Sequence, residues 1–455
     1  MIRNPTFYFQ SGLTWSTISS SLIAFRFSPK GFLFETKGSI CFLQNPEKTN
    51  QVFGFLNSCV AQHILSAFSP TLDYHEGPIS RVPILLRSSW RGENDIDLCV
   101  SLSQQDWDTY EASWSFRKHS FLCQDTALVS QAFVAWEQQS ENAFQRLKQL
   151  EEENNRYWIN VYGLQSELTP EVPDDQITIR RADLPRDIRS FISYAIGCMM
   201  GRYSLDAPGL IHAGQPFDPT RHTTFPADAD AILPITDQAY FTDDIVTRFI
   251  EFVKVTYGEA TLTENLDFIA NALKLRASET AQDRIRRYFV TEFISDHIKT
   301  YKKRPIYWLF TSGKAGSRRS PAFSALVYLH RYSEDTVARI RTDYVLELQV
   351  KLDEEIKRVD ADADTATTTT AKKAATKRLQ TLKDQQLELR DYQAKLQTIA
   401  DQRIQLDLDD GVAYNYTLFE GLVYEGSDLK MTDLKKKSQW KRDLLAAQSD
   451  DANPG

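Results

Sequence analysis

The cations of this sequence are the residues best able to do chemistry, because they gather in islands rather than spreading evenly. Lys299, Lys302, Lys303 and Arg304 flank Tyr301 and lead into Tyr307-Trp308, and Lys314, Arg318 and Arg319 follow on a Gly/Ser segment before Pro321. Arg180 and Arg181 form a further island, and Arg81, Arg87 and Arg91 lie about the Val82-Pro83-Ile84 string. Guanidinium and ammonium groups on loops can follow phosphates or reach guanine edges in the major groove. The competing reading is an ordinary solvated face. The formal net charge of −8 excludes wholesale coating of nucleic acid, since phosphate affinity comes from Lys and Arg displacing counterions. The acid is concentrated in runs at Glu151–Glu153, Asp360–Asp364 and Asp407–Asp410, and such segregation leaves room for a local basic surface.

Other chemistries lack their residues. Methylation of an exocyclic base amine needs a side-chain acceptor beside a backbone carbonyl, usually as Asn/Asp/Ser-Pro-Pro-aromatic, acting on a base flipped from the duplex. The chain has no Pro-Pro pair; Asn4-Pro5-Thr6-Phe7 is the nearest string, and no Gly-rich turn after an early strand offers a close approach to S-adenosylmethionine. Ser312-Gly313-Lys314 lacks the first glycine of a phosphate-cradling loop. The seven histidines are scattered, with no pair at metal spacing, and His63 and His330 read as satisfied structural residues. Asp106, Asp108 and Glu111 resemble a two-carboxylate metal site, against which stands a structural reading: Asp106 caps a helix whose Trp107, Tyr110 and Trp114 pack on a neighbour.

The elements that must position these groups point to an α+β fold. A strand-rich lobe is expected at residues 1–120, where aromatic and β-branched residues alternate with Gly, Pro and Ser and Pro29-Lys30-Gly31 makes a hairpin turn. Within it, residues 55–84 run from an apolar helix-like stretch through a Pro70-Thr71 turn, a short strand and a Gly77-Pro78 break to the Val82-Pro83-Ile84 stop. One long connecting helix is expected over residues 121–168, then a linker or a sharp change of direction at Thr169–Asp175. Residues 169–332 form a mostly helical second lobe with a basic strand and loop; Gly258 ends one helix and 281–298 read as a single one. Val345, Leu352 and Val359, then Leu382, Leu389 and Leu396, repeat every seven residues, so residues 333–403 read as an antiparallel, coiled-coil-like hairpin with the polar 360–373 stretch as its tip. Residues 404–455 read as a short strand-and-turn segment and a frayed tail.

Five cysteines without a C-x-x-C pair argue against a disulfide framework or zinc knuckle and fit a reduced, cytoplasmic compartment. No apolar run approaches the roughly 20 residues that a membrane helix needs, and no leader-like segment opens the chain.

Several strings together resemble one family. SGLTWSTISS (11–20), SPKGFLFETKGSICF (28–42), FLNSCVAQHILSAFSPTLDYHEGPISRVPI (55–84), DWDTYEASWSF (106–116), NNRYWINVYGLQSELTPEVP (154–173), SYAIGCMMGRYSLDAPGL (193–210), KTYKKRPIYWLFTSG (299–313) and LDDGVAYNYTLF (408–419) are similar to the C-terminal, target-recognition half of the PglX adenine-specific DNA methyltransferases of BREX phage-exclusion systems. The resemblance covers nearly the whole chain. It implies recognition of a short asymmetric DNA sequence, host marking by adenine methylation, and exclusion of unmarked phage DNA. In that family the catalytic Rossmann-like domain, with its cofactor loop and Asn-Pro-Pro-Tyr motif, precedes the region matched. The expectation is therefore a reader of double-stranded DNA, docking through a basic cleft between its lobes. It has no catalytic or metal residues and no cofactor site of its own, and S-adenosylmethionine comes only with a separate methyltransferase chain. Its other expected partners are phage-defence proteins and not a membrane. Two other readings are a protein-interaction module that joins a defence complex through the hairpin, and a decoy that titrates partners.

Overall fold

The computed structural model describes residues 4–19, 22–35, 37–69, 72–214, 216–313, 319–365 and 367–444. Its class is α+β with helices in the majority, and it divides into two compact units: residues 1–110 with 136–182, and residues 111–135 with 183–455. No described helix is long and apolar enough to cross a membrane.

In the first unit, strands β1 (Gly12–Ser16), β2 (Phe25–Ser28) and β3 (Gly38–Cys41) make an antiparallel sheet in the order β2-β1-β3. Period-two alternation turns Leu13, Trp15 and Phe25 into the core. Gly12 is required by packing, since a Cβ there would lie 2.6 Å from the Cys41 carbonyl oxygen. The strands end at Cys41. Residues beyond it that the pattern assigned to the strand-rich lobe wind into α1 (Thr49–Leu56), α2 (Cys59–Phe68), α3 (Glu76–Ser80) and α4 (Glu93–Asp108), because their apolar positions bury helix faces rather than sheet faces.

Within residues 55–84 the apolar run is α2, capped by Ser58, whose Oγ accepts from Ala61 N. Asn57 imitates a strand edge: its Oδ1 accepts from Phe25 N at 3.0 Å and its Nδ2 donates to Phe25 O at 3.3 Å. Pro70-Thr71 lie outside the described residues, the strand piece reduces to an Ile18–Asp73 bridge, and Gly77-Pro78 fall inside α3 rather than breaking the chain. The Val82-Pro83-Ile84 stop is pinned by Tyr162, whose hydroxyl donates to Pro83 O and accepts from Leu85 N.

The long helix is α5 (Val129–Tyr162); its first turns group with the second unit and the remainder with the first. Trp158 and Ile159 complete the core under the sheet. The Thr169–Asp175 stretch is packed rather than a free linker: Val172 is buried against Phe144 and Leu147, and Asn155 holds Pro170 O and Cys59 N.

In the second unit, helices α6 (Leu184–Met199), α7 (Ile245–Tyr257), α8 (Leu262–Ala272), α9 (Ala281–Thr291) and α10 (Phe293–Thr300) surround a sheet of order β4-β6-β5. Its strands, β4 (Ile232–Ile235), β5 (Tyr307–Thr311) and β6 (Ser324–Tyr328), are buried along their whole length, and the helix that looked continuous over 281–298 breaks at Glu292. Gly258 ends α7 at φ 94°. The hairpin follows: α11 (Thr336–Arg339), a π-helical turn at Ile340–Val345, α12 (Leu346–Thr365) and α13 (Thr369–Ala400). The six heptad residues and Tyr392 are buried. Its tip is much shorter than the polar composition suggested, because Thr368 caps α13 and both helices run into the 360–373 stretch. Arg378 anchors the arm in cis, bridging Glu355, Asp237 and the Tyr240 hydroxyl.

Residues 404–444 are mainly α14 (Gly411–Thr417) and α15 (Met431–Lys437) rather than strands; their one strand-like contact is the Phe310–Val423 bridge, with Tyr416 and Phe419 packed on Trp308. The tail from 445 onward lies outside the described residues.

Candidate nucleic-acid interface

The cations after α10 are displayed by a specific helix ending. Lys302 N donates to Lys299 O and Lys303 N to Ile298 O, the paired bonds of a Schellman motif, and Arg304 N returns to Tyr301 O. That motif places its residue after the cap in the left-handed region, where glycine is usual. Here the position is Lys302, at φ 50°, and the next residue, Lys303, is left-handed as well at φ 64°. Lys302, Lys303 and Arg304 are exposed and make no ion pair among the described residues; Lys299, also exposed, has only Asp296 at 4.0 Å. Cations here also complement the negative end of α10.

Beneath the turn, His297 is buried and its Nε2 accepts from Ile306 N and Tyr307 N, each at 3.1 Å. Burial pushes its pKa down to about 3, so the ring is neutral and carries its proton on Nδ1. Tyr301 is tied down separately: its hydroxyl donates to Glu111 Oε1 at 2.9 Å, while Ser193 donates to Oε2 at 2.5 Å. Burial raises the Glu111 pKa, partly offset by the Ser193 hydrogen bond and the Arg202 charge. The sequence did not single out His297, and it grouped Glu111 with Asp106 and Asp108. In the fold Glu111 belongs to the second unit and the two aspartates to the first, and no cluster of ligating groups occurs among the described residues. Asp106 sits in the last turn of α4, so it caps no helix start; Trp107 is half exposed and Trp114 fully so, against the packing expected of them. His63 is exposed too, and His330 is only partly buried with its Nδ1 unpartnered.

The remaining cations divide by their partners. Arg181 is ion-paired with Glu141 at 2.8 Å and Asp174 at 3.0 Å, and Arg319 with Asp384 at 2.7 Å. Arg180 lies over the Tyr110 ring, 3.0 Å from its centroid, and Trp107 stacks on the same tyrosine. A phosphate would have to displace carboxylates from Arg181 and Arg319. Arg81 ends α3, is exposed, and has no ion pair among the described residues, and exposed Arg87 and Arg91 follow it. Lys314 and Arg318 lie outside the described residues. All five cysteines are free.

No protein-family model matches the chain. It is 40% identical over 421 residues to the adenine-specific methyltransferase PglX of Lacticaseibacillus casei (strain Zhang), covering 91% of this chain and 34% of that protein. It is 35% identical over 454 residues to the adenine-specific methyltransferase BrxX of Escherichia coli O9:H4 (strain HS), covering 93% of this chain and 37% of that protein. Over nearly its whole length, the chain is therefore homologous to about a third of these adenine-specific methyltransferases.

Proposed function

We propose that the chain is the target-recognition part of an adenine-specific DNA methyltransferase acting in phage defence in the cytoplasm, equivalent to a stretch in the C-terminal part of its relatives. It docks on double-stranded DNA through Lys299, Lys302, Lys303 and Arg304, with Arg81 as a second contact on the first unit. The near-full-length identity to proteins named as adenine-specific methyltransferases carries this reading. The exposed cations at 302–304, which make no ion pair among the described residues, support this choice of phosphate contacts. S-adenosylmethionine and the catalytic residues are supplied by a separate methyltransferase polypeptide.

The test is a gel shift on duplex DNA over a salt series. Changing Lys302, Lys303 and Arg304 to Glu should weaken binding, and losing three phosphate contacts should flatten the log–log salt slope by about 2.7. Absence of binding at low salt, with and without the methyltransferase partner, refutes the proposal. Calorimetric binding of S-adenosylmethionine by this chain alone would overturn the division of labour.

A protein-interaction reading rests on the hairpin, whose end exposes Asp360, Asp362 and Asp364 on one arm and Lys372, Lys373 and Lys377 on the other. It predicts that hairpin breaks abolish assembly while the turn substitutions are silent. The seam's heptads are satisfied in cis, which favours a brace over a docking arm.

A further inference from the structure

We infer that helix α15 is a further phosphate-contacting element, meeting the same duplex as the turn after α10; the inference rests on the DNA-reading role proposed above. Residues 430–442 hold six cations, Lys430, Lys435, Lys436, Lys437, Lys441 and Arg442, against one carboxylate, Asp433, in a chain of net charge −8. An ordinary solvated face mixes the two signs, whereas a dense basic run is the electrostatic footprint of a polyanion.

Packing sorts the six into anchors and free charges. Met431, Leu434 and Ser438 are buried at helical spacing, so that face of α15 points inward. On one flank Lys435 pairs with Glu420, and beyond it Arg442 donates to Thr417 Oγ1 at 3.0 Å, while Lys441 pairs with Asp410. These contacts fix the helix on its unit. Lys436 lies opposite the buried face, and Lys430 and Lys437, seven residues apart, share the other flank. All three are exposed, and none forms an ion pair among the described residues, Asp433 notwithstanding.

A side-chain contact brings this helix close to the turn. Ser295 on α10 donates to Asp428 at 2.5 Å, and Asp428 stands two residues before Lys430. Lys299 follows Ser295 by one helical turn on the same face of α10. With the reach of those two side chains fixed, the Lys299 and Lys430 backbones lie within about 22 Å of each other, less than the roughly 34 Å of one duplex turn. A duplex presents one charge per roughly 1.7 Å of its axis, so a single docked segment offers phosphates to both elements.

The experiment is fluorescence anisotropy of the full chain with a labelled duplex of about 20 base pairs over a salt series. Changing Lys430, Lys436 and Lys437 together to Gln should flatten the log–log salt slope by about 2.7 while circular dichroism reports an unchanged fold. The reduction should add to that of the turn variant, because the two elements meet different phosphates. Should the triple variant fail to fold, Lys436→Gln alone, opposite the core, carries the test with a slope change of about 0.9. Duplex binding with an unaltered slope overturns this inference and leaves the DNA-reading role standing; absence of duplex binding by the unaltered chain overturns both. A variant that binds duplex normally but no longer associates with a methyltransferase polypeptide assigns the helix to an acidic protein surface and likewise overturns it.

Discussion

Lys302 and Lys303 occupy backbone that suits glycine, and the cost of doing so can be measured. An L-residue in the left-handed region is disfavoured by about 1–2 kcal/mol relative to its ordinary conformations. Glycine escapes that penalty but loses more freedom on folding, which offsets about 0.5–1 kcal/mol of the gain. Replacing either lysine by Gly should therefore stabilise the second unit by about 0.5–1 kcal/mol, and both together by about 1–2 kcal/mol. Removing cations from the end of α10 takes back about 0.3–1 kcal/mol per charge, so the clean comparison is Lys302→Gly against Lys302→Ala. The two variants differ only by a Cβ. The Gly form should be the more stable by about 0.5–1 kcal/mol in urea titration. Duplex affinity should fall alike in both, with the salt slope reduced by about 0.9. Equal stability of the two variants would refute the strain argument. A gain in stability with undiminished affinity would instead show that these cations touch no phosphate.

Glu151, whose carboxyl is pushed by burial from 4.5 to about 7, gives a pH signature. Its folded pKa lies above its unfolded one, so stability falls as pH rises from about 4.5 to about 7; Glu151→Gln should flatten that dependence, with a gain on the order of 2 kcal/mol at pH 8, read by thermal melts at several pH values. His297 has the opposite arrangement: its pKa is depressed from 6.5 to about 3, so its contribution is present above pH 6.5 and is lost as pH falls through that window. Amide exchange at Ile306 and Tyr307 should accelerate there before global unfolding, and no acceleration would rule out its acceptor role. Gly197→Ala places a Cβ 2.3 Å from the Tyr203 ring, and should cost about 1–3 kcal/mol by chemical denaturation.

Periodic features were the legible ones. Every Val345, Leu352, Val359, Leu382, Leu389 and Leu396 position reached the seam, because a seven-residue repeat survives whatever surrounds it. The α7 stop at Gly258 was visible for a similar reason, since residue type and conformation coincide. At Lys302 they do not: nothing in a lysine announces left-handed backbone, and only the hydrogen-bonded geometry reveals it. Cation islands likewise told nothing of their partners. Arg181 and Arg319 meet carboxylates 40 and 65 residues away, and those pairings separate them from the unneutralised group at 302–304. Apart from the helix-like stretch that became α2, residues 49–108 misled because short helices bearing Phe and Val present the same composition as strands when both are buried on one side.

The π-helical turn at Ile340–Val345 fixes the hairpin's phase. A π turn holds one residue more than the α turn it replaces, so everything beyond it is set by that surplus. Rewinding that stretch as ordinary α-helix with every residue kept would rotate α12 by about 100° about its axis. Leu348, Leu352 and Val359 would then swing off α13 together, whereas deleting one residue of the turn would restore ordinary winding and leave them in phase.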